Sequence, residues 1–159
     1  MALTPAQLST LKAAILADPA LNVEPNNSDG AFAIAAALNQ LSSPAFIVWK
    51  TDIPTKDVKK AINWPEYISR SVGERAAFEL IIANGIVSAA DPGIRQGFQD
   101  IFSGPSGAVT RTALIVLAKR TATRGEKILA TGTGTDATPA TMTFEGNLSY
   151  QDVQDARNS

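Results

Sequence analysis

The run VTRTALIVLAKRTATRGEKILA at Val109–Ala130, followed at once by TGTGT at Thr131–Thr135, decides how the chain is read. In the first stretch Ala113, Leu114, Leu117, Ala118, Ala122, Ile128 and Leu129 recur at helical spacing, which predicts one long helix with an apolar side. The second stretch abandons helical chemistry: residues 131–141 hold five Thr, two Gly and one Pro. The predicted organisation is therefore a helical body over 1–130 and an extended C-terminal arm over 131–159 for partner docking. Within the arm Met142–Glu145 alternates like a strand before a Gly146-Asn147 turn, which leaves room for a short β-hairpin, and Ser149-x-x-Asp152 caps a terminal turn.

Upstream, the punctuation is helical. Thr4-Pro5-Ala6-Gln7 is a capping box with proline at the first helical position, and Leu8, Leu11 and Ile15 continue as one stripe until Asp18-Pro19 stops it. Asn27 or Ser28 opens an alanine-rich helix reaching Leu41, whose small side chains favour close packing on a neighbour or another subunit. Thr55 starts a short helix to Ile62. Ser71-x-x-Glu74 starts a helix whose apolar face is Ala77, Phe78, Ile81 and Ile82, ended by Asn84-Gly85. Asp91-Pro92 opens another, carrying Ile94, Phe98, Ile101 and Phe102. Ala45–Lys50 is apolar and β-branched but has no comparable run to pair with, so it reads as buried extended chain or a short helix. The fold class expected is all-α, a bundle of five or six helices with the extended arm.

Composition excludes much chemistry. The 159 residues are 45% hydrophobic and contain no Cys and no His, which removes disulfides, thiolate nucleophiles, imidazole catalysis and the usual zinc and haem ligands. The longest apolar stretches, Ala31–Leu38 and Leu114–Ala118, fall far short of the ~20 residues of a membrane span, and Met1–Pro5 has no signal-peptide character, so a soluble cytoplasmic product is expected. Gly132-Thr133-Gly134 follows a helix instead of a strand, and Gly104-Pro105-Ser106-Gly107 lacks the Lys-Ser/Thr of a phosphate loop; both read as loop punctuation. The acids are scattered, without the paired carboxylates of a glycosidase or a calcium loop. No enzyme, cofactor or metal site is expected.

One charge pattern stands above background. Arg111, Lys119, Arg120, Arg124 and Lys127 face a single anion, Glu126, and on a continuous helix Arg120, Arg124 and Lys127 share a face at i, i+4, i+7. That stripe is either a solvated helix end or a surface turned to another subunit or to DNA. The balance reverses beyond it, with Asp136, Glu145, Asp152 and Asp155 against Arg157, a polarity suited to head-to-tail association. Phe144, Leu148, Tyr150 and Val153 are the apolar points with which the arm would dock. Trp49 and Trp64 read as seals at the edge of the core, or as interface anchors.

Three blocks carry a resemblance. They are Leu3–Gln7 with Leu11–Ala13 and Ala17–Pro19; Pro25–Gly30 with Pro44–Thr51; and Ala122–Lys127 with Ala130–Gly134 and Phe144–Tyr150. Together they resemble a family of small structural proteins of tailed bacteriophages and prophages, and the small helical body with a long arm is similar to head–tail connector (adaptor, head-completion) proteins. The resemblance implies a virion protein made in the host cytoplasm. It would form a ring, commonly of twelve subunits, below the portal, with the portal and other neck or tail proteins as partners and packaged DNA as a non-specific contact. On that reading Arg120, Arg124 and Lys127 belong to the channel or subunit interface and residues 131–159 to portal docking. The alternatives are a capsid decoration or tail-completion protein, and a small DNA-binding protein.

Overall fold

Thr4 Oγ1 accepts from the Gln7 amide and the Gln7 side chain accepts from the Thr4 amide, so the first helix begins where its capping box puts it. The computed structural model describes residues 2–159. In chain order it contains α1 (Pro5–Ala17), α2 (Pro19–Asn22), α3 (Ser28–Leu38), β1 (Ile47–Trp49), β2 (Ile53–Pro54), α4 (Thr55–Ala61), α5 (Trp64–Ile68) and α6 (Val72–Ile82). There follow β3 (Ile86–Val87), α7 (Pro92–Ile101), a 3-10 turn (Pro105–Gly107), α8 (Ala108–Leu117), β4 (Lys119–Thr121), α9 (Arg124–Leu129), β5 (Ala130–Thr131), β6 (Thr141–Met142) and α10 (Tyr150–Asn158). The protein is helix-rich with several short strands, not a plain all-α bundle.

The chain divides into two compact units: a terminal unit of Met1–Val48 with Thr121–Ser159, and a central unit of Trp49–Arg120. This replaces the expected division into a body over 1–130 and an arm over 131–159. The predicted long helix is also corrected. It breaks into α8, β4 and α9 because Thr123-x-x-Glu126 is itself a capping box, with Thr123 Oγ1 accepting from the Glu126 amide and Glu126 Oε2 from the Thr123 amide.

In the terminal unit α10 packs on α1 and α3, and α9 on α1. Leu11, Ile15, Ile34, Leu38, Leu129, Leu148, Val153 and Ala156 form one buried core, each large aliphatic side chain worth about 1.5–3 kcal/mol of transfer free energy. Ala31 and Ala35 of α3 are buried here, while Ala33 and Ala36 face outward. The C-terminal segment is therefore core material. Asn39 holds it as a strand would: its Nδ2 donates to the Leu148 carbonyl (2.9 Å) and its Oδ1 accepts from the Leu148 amide (2.8 Å). Arg157 donates to the Glu24 and Pro25 carbonyls (2.9 and 3.0 Å), and Gln7 Nε2 to the Thr143 carbonyl (2.9 Å).

Glu126, 2% exposed, belongs to the same bracing. Its Oε1 accepts from the Gly146 amide at 3.0 Å, so a carboxylate that would be costly to bury alone is hydrogen-bonded on both oxygens.

What Ala45–Lys50 lacked in sequence is supplied within the terminal unit by two segments: the Ala122 amide donates to the Phe46 carbonyl (2.8 Å), and the C-terminal segment bonds Ile47. The Ile47 amide donates to the Gly134 carbonyl (2.7 Å) and the Ala140 amide to the Ile47 carbonyl (2.9 Å). Val48, Ala122 and Ala140 close a second small core against Phe46, Ala130 and Met142. β5 and β6 pair antiparallel, Ala130 opposite Met142 and Thr131 opposite Thr141, so the hairpin ends at Met142 and does not run on to Glu145.

The central unit is built around Phe78 of α6, fully buried, with edge contacts to Tyr67, Phe98 and Phe102 at 5.3–6.1 Å. Val58, Ile82, Ile101, Leu114 and Ala118 complete that core, and β2 pairs antiparallel with β3 beside it. The Ser71 and Asp91 caps form as expected.

Burial raises the Glu66 carboxyl, but hydrogen bonds from the Thr110 hydroxyl and amide and the Val109 amide, with the nearby Arg70 charge, outweigh it and leave it below the ordinary value of 4.5. Glu74 is lowered by the hydroxyl and amide of Ser71 against a smaller burial effect. Both carboxyls bind protons less readily folded than unfolded. Their stabilisation is therefore complete above the unfolded value and is lost as pH falls through the lower folded values. Thermal denaturation followed from pH 7 to pH 3 is expected to show stability falling below about 4.5, with Glu66→Gln flattening that slope. An unchanged slope in the variant refutes the assignment.

Candidate functional site

The residues expected to form a basic stripe do not share a helix. Arg120 lies in β4 of the central unit, whereas Arg124 and Lys127 lie on α9 of the terminal unit. The i, i+4, i+7 reading fails because β4 and the Thr123 cap interrupt the helix. Arg124 is engaged locally, its Nη2 2.6 Å from Asp18 Oδ2. Lys127 Nζ sits 5.7 Å from the centre of the Phe46 ring. A partly exposed pair such as Arg124–Asp18 contributes ~0–1 kcal/mol, so Arg124→Ala is expected to cost no more than that in urea denaturation. The same variant is expected to leave duplex-DNA retention unchanged at low salt. A marked loss of retention would reinstate α9 as a DNA surface.

The four expected docking residues also separate. Leu148 and Val153 are buried in the terminal core and Phe144 packs half-buried against it, so none of the three is presented to a partner. The expectation is corrected for a simple reason: Leu148, Val153 and Ala156 are enough apolar surface to dock α10 on α1 and α3. Tyr150 alone remains on the surface, its ring stacked on Phe32 at 4.4 Å and 25°. Of the tryptophans, Trp49 is partly buried under the Arg95 guanidinium, 4.5 Å from its ring, and Trp64 is half exposed against the edge of Tyr67.

What stands out instead is apolar surface on helices whose other sides are already committed. On α6, Phe78 and Ile82 point into the core while Val72 and Leu80 are 76% and 77% exposed, with exposed Ala76 between them at i, i+4, i+8. On α8, Leu114 is buried while Val109 and Val116 are exposed, and Thr112 lies between them. On α3, Ile34 and Leu38 are buried while Phe32 is 56% exposed beside exposed Ala33 and Ala36. Scattered exposed apolar residues are ordinary, but rows of them on a second helix face mark contact surface. The signal is present in the sequence: α6 carries two apolar stripes, one through Phe78 and one through Val72, Ala76 and Leu80.

A recess of about 250 Å³ between Ala2, Gln7 and Met142–Glu145 is shallow, and its Gln7 amide is already used on Thr143. Among the described residues no helix is long and apolar enough to cross a membrane, and no group of three acidic side chains is placed to hold a metal ion. Comparison of the chain with protein-family models, curated proteins and solved structures finds no match to any of them.

Proposed function

We propose that this chain is a non-catalytic structural component of a tailed-phage virion. It acts as a connector at the head–tail junction, assembling with copies of itself into a ring below the portal that continues the DNA channel. The observation that carries the reading is the set of exposed apolar faces on α3, α6 and α8, each on a helix whose opposite side is already packed into its own unit. Such faces are what an assembling subunit keeps for its neighbours. The three sequence blocks that resemble phage structural proteins supply the biological setting. Residues 131–159 are folded into the terminal unit, so contacts to the portal and other neck proteins are made by folded surfaces and not by a free arm.

The test is to locate the subunit by electron microscopy of intact particles, with its copy number measured by quantitative mass spectrometry. A few copies at one vertex are expected. Hundreds of copies over the shell would make it a decoration protein, and absence from purified particles would remove the virion assignment.

A further inference from the structure

Three features organise the surface. The first is the α6 face of Val72, Ala76 and Leu80, beside which a Cβ built on Gly73 meets nothing within 4 Å, so the face is open. The second is the α3 face of the terminal unit, where Phe32 stands beside small Ala33 and Ala36 and is held by its stack on Tyr150. A rigid, exposed aromatic flanked by alanines is an anchor that lets another helix come close. The third is charge. The terminal unit has four Lys+Arg against eight Asp+Glu, and the central unit ten against seven, although the whole chain is nearly neutral.

The charge separation selects the occupant of these faces. Pairing α6 with α6 brings two net-positive units together, and pairing α3 with α3 brings two net-negative units together. Only unlike pairing joins opposite charge, which both steers encounter and penalises the wrong register. We infer that the α3–Tyr150 face of one copy seats on the α6 face of a second copy, joining copies head to tail. This deepens the reading of the chain as a self-assembling subunit: the contact is heterologous, the kind that propagates to a closed ring or an open filament.

The experiment uses the full chain in sedimentation velocity at low and high salt, with Leu80→Glu on α6 and Phe32→Glu on α3. Ala36→Glu is a second α3 variant that leaves the Phe32–Tyr150 stack intact. Circular dichroism checks that each variant is folded. The wild type is expected to self-associate and to do so less at high salt. Each variant alone is expected to lose association by at least about tenfold. An equimolar mixture of Leu80→Glu and Phe32→Glu is expected to form a 1:1 complex, because one partner keeps an intact α3 face and the other an intact α6 face.

If Leu80→Glu loses association while Phe32→Glu and Ala36→Glu keep it, the contact is two-fold and the inference fails. It fails equally if the mixture stays monomeric, if salt has no effect, or if the wild type never associates. A chain absent from virions that still shows the complementation would lose the phage assignment and keep this contact. A chain found at the neck that fails the complementation would do the reverse.

Discussion

Gly134→Ala is expected to destabilise the protein by roughly 3 kcal/mol, a fall of about 10 °C in melting temperature. Two costs add at this position. The backbone is left-handed, with φ of 67°, where a side chain costs ~1–2 kcal/mol. A Cβ there would also lie 2.1–2.4 Å from three carbons of the Phe46 ring, well inside contact distance. Phe46 cannot move away freely, because it packs on the Val48, Ala122 and Ala140 cluster, and the Gly134 carbonyl is itself tied to the Ile47 amide. Forcing extra volume into such a site costs a further ~1–3 kcal/mol. Gly85→Ala supplies the reference: φ is 79° and nothing lies within 4 Å of the added Cβ, so it reports the backbone cost alone. Equal losses for the two variants would show that Phe46 does not press on Gly134.

The same glycine shows where sequence reading ran out. The Thr and Gly of Thr131–Thr135 mark the stretch as non-helical, but composition says nothing about which distant strand a loop will meet. The hydrogen bond from Ile47 to Gly134 and the pairing of Asn39 with Leu148 join segments far apart in the chain, and neither leaves a local mark. The caps at Thr4, Ser71 and Asp91 were legible because each is satisfied within four residues. The Thr123 cap is equally local but is masked, since the apolar positions on either side of it stay in helical phase across the break. The Thr123-x-x-Glu126 spacing, with β-branched Thr121 and Thr123 and Gly125, signals that the helix ends and restarts.

For the candidate site, the chemistry-bearing residues were the misleading ones. Arg124 and Lys127 have neighbours within their own unit, and Leu148 and Val153 serve the core. The exposed faces are made of Val, Ala, Leu and Phe, residues that a sequence reading assigns to a core by default. Exposure is decided by which stripe of a two-striped helix finds a partner first. In α6 the Phe78 stripe does, because it meets the other aromatic rings of the central unit.

The largest loss is expected from Val153→Asp. Val153 is fully buried on the α10 face that packs against α1 and α3. A carboxylate placed there enters the apolar cluster of Leu11, Ile15, Ile34, Leu38 and Leu148, and the effective penalty for an unpaired buried charge is several kcal/mol. That is comparable to the whole stability of an ordinary domain, so the terminal unit is expected to unfold or to release α10. Val153→Ala removes only two methyl groups and is expected to cost about 2 kcal/mol, transfer and cavity terms together. Tyr150→Ala, at an exposed position with a single ring contact, is expected to cost about 1 kcal/mol or less.

Limited proteolysis with chemical denaturation of the three variants checks the order. Were residues 131–159 an arm awaiting a partner, Val153→Asp would leave the stability of the free protein untouched and act only on assembly. Tucked against α1 and α3, it must act on the isolated chain, at concentrations where no second copy is bound. A Val153→Asp variant as stable as the wild type would return the segment to the solvent and reopen it as a docking arm.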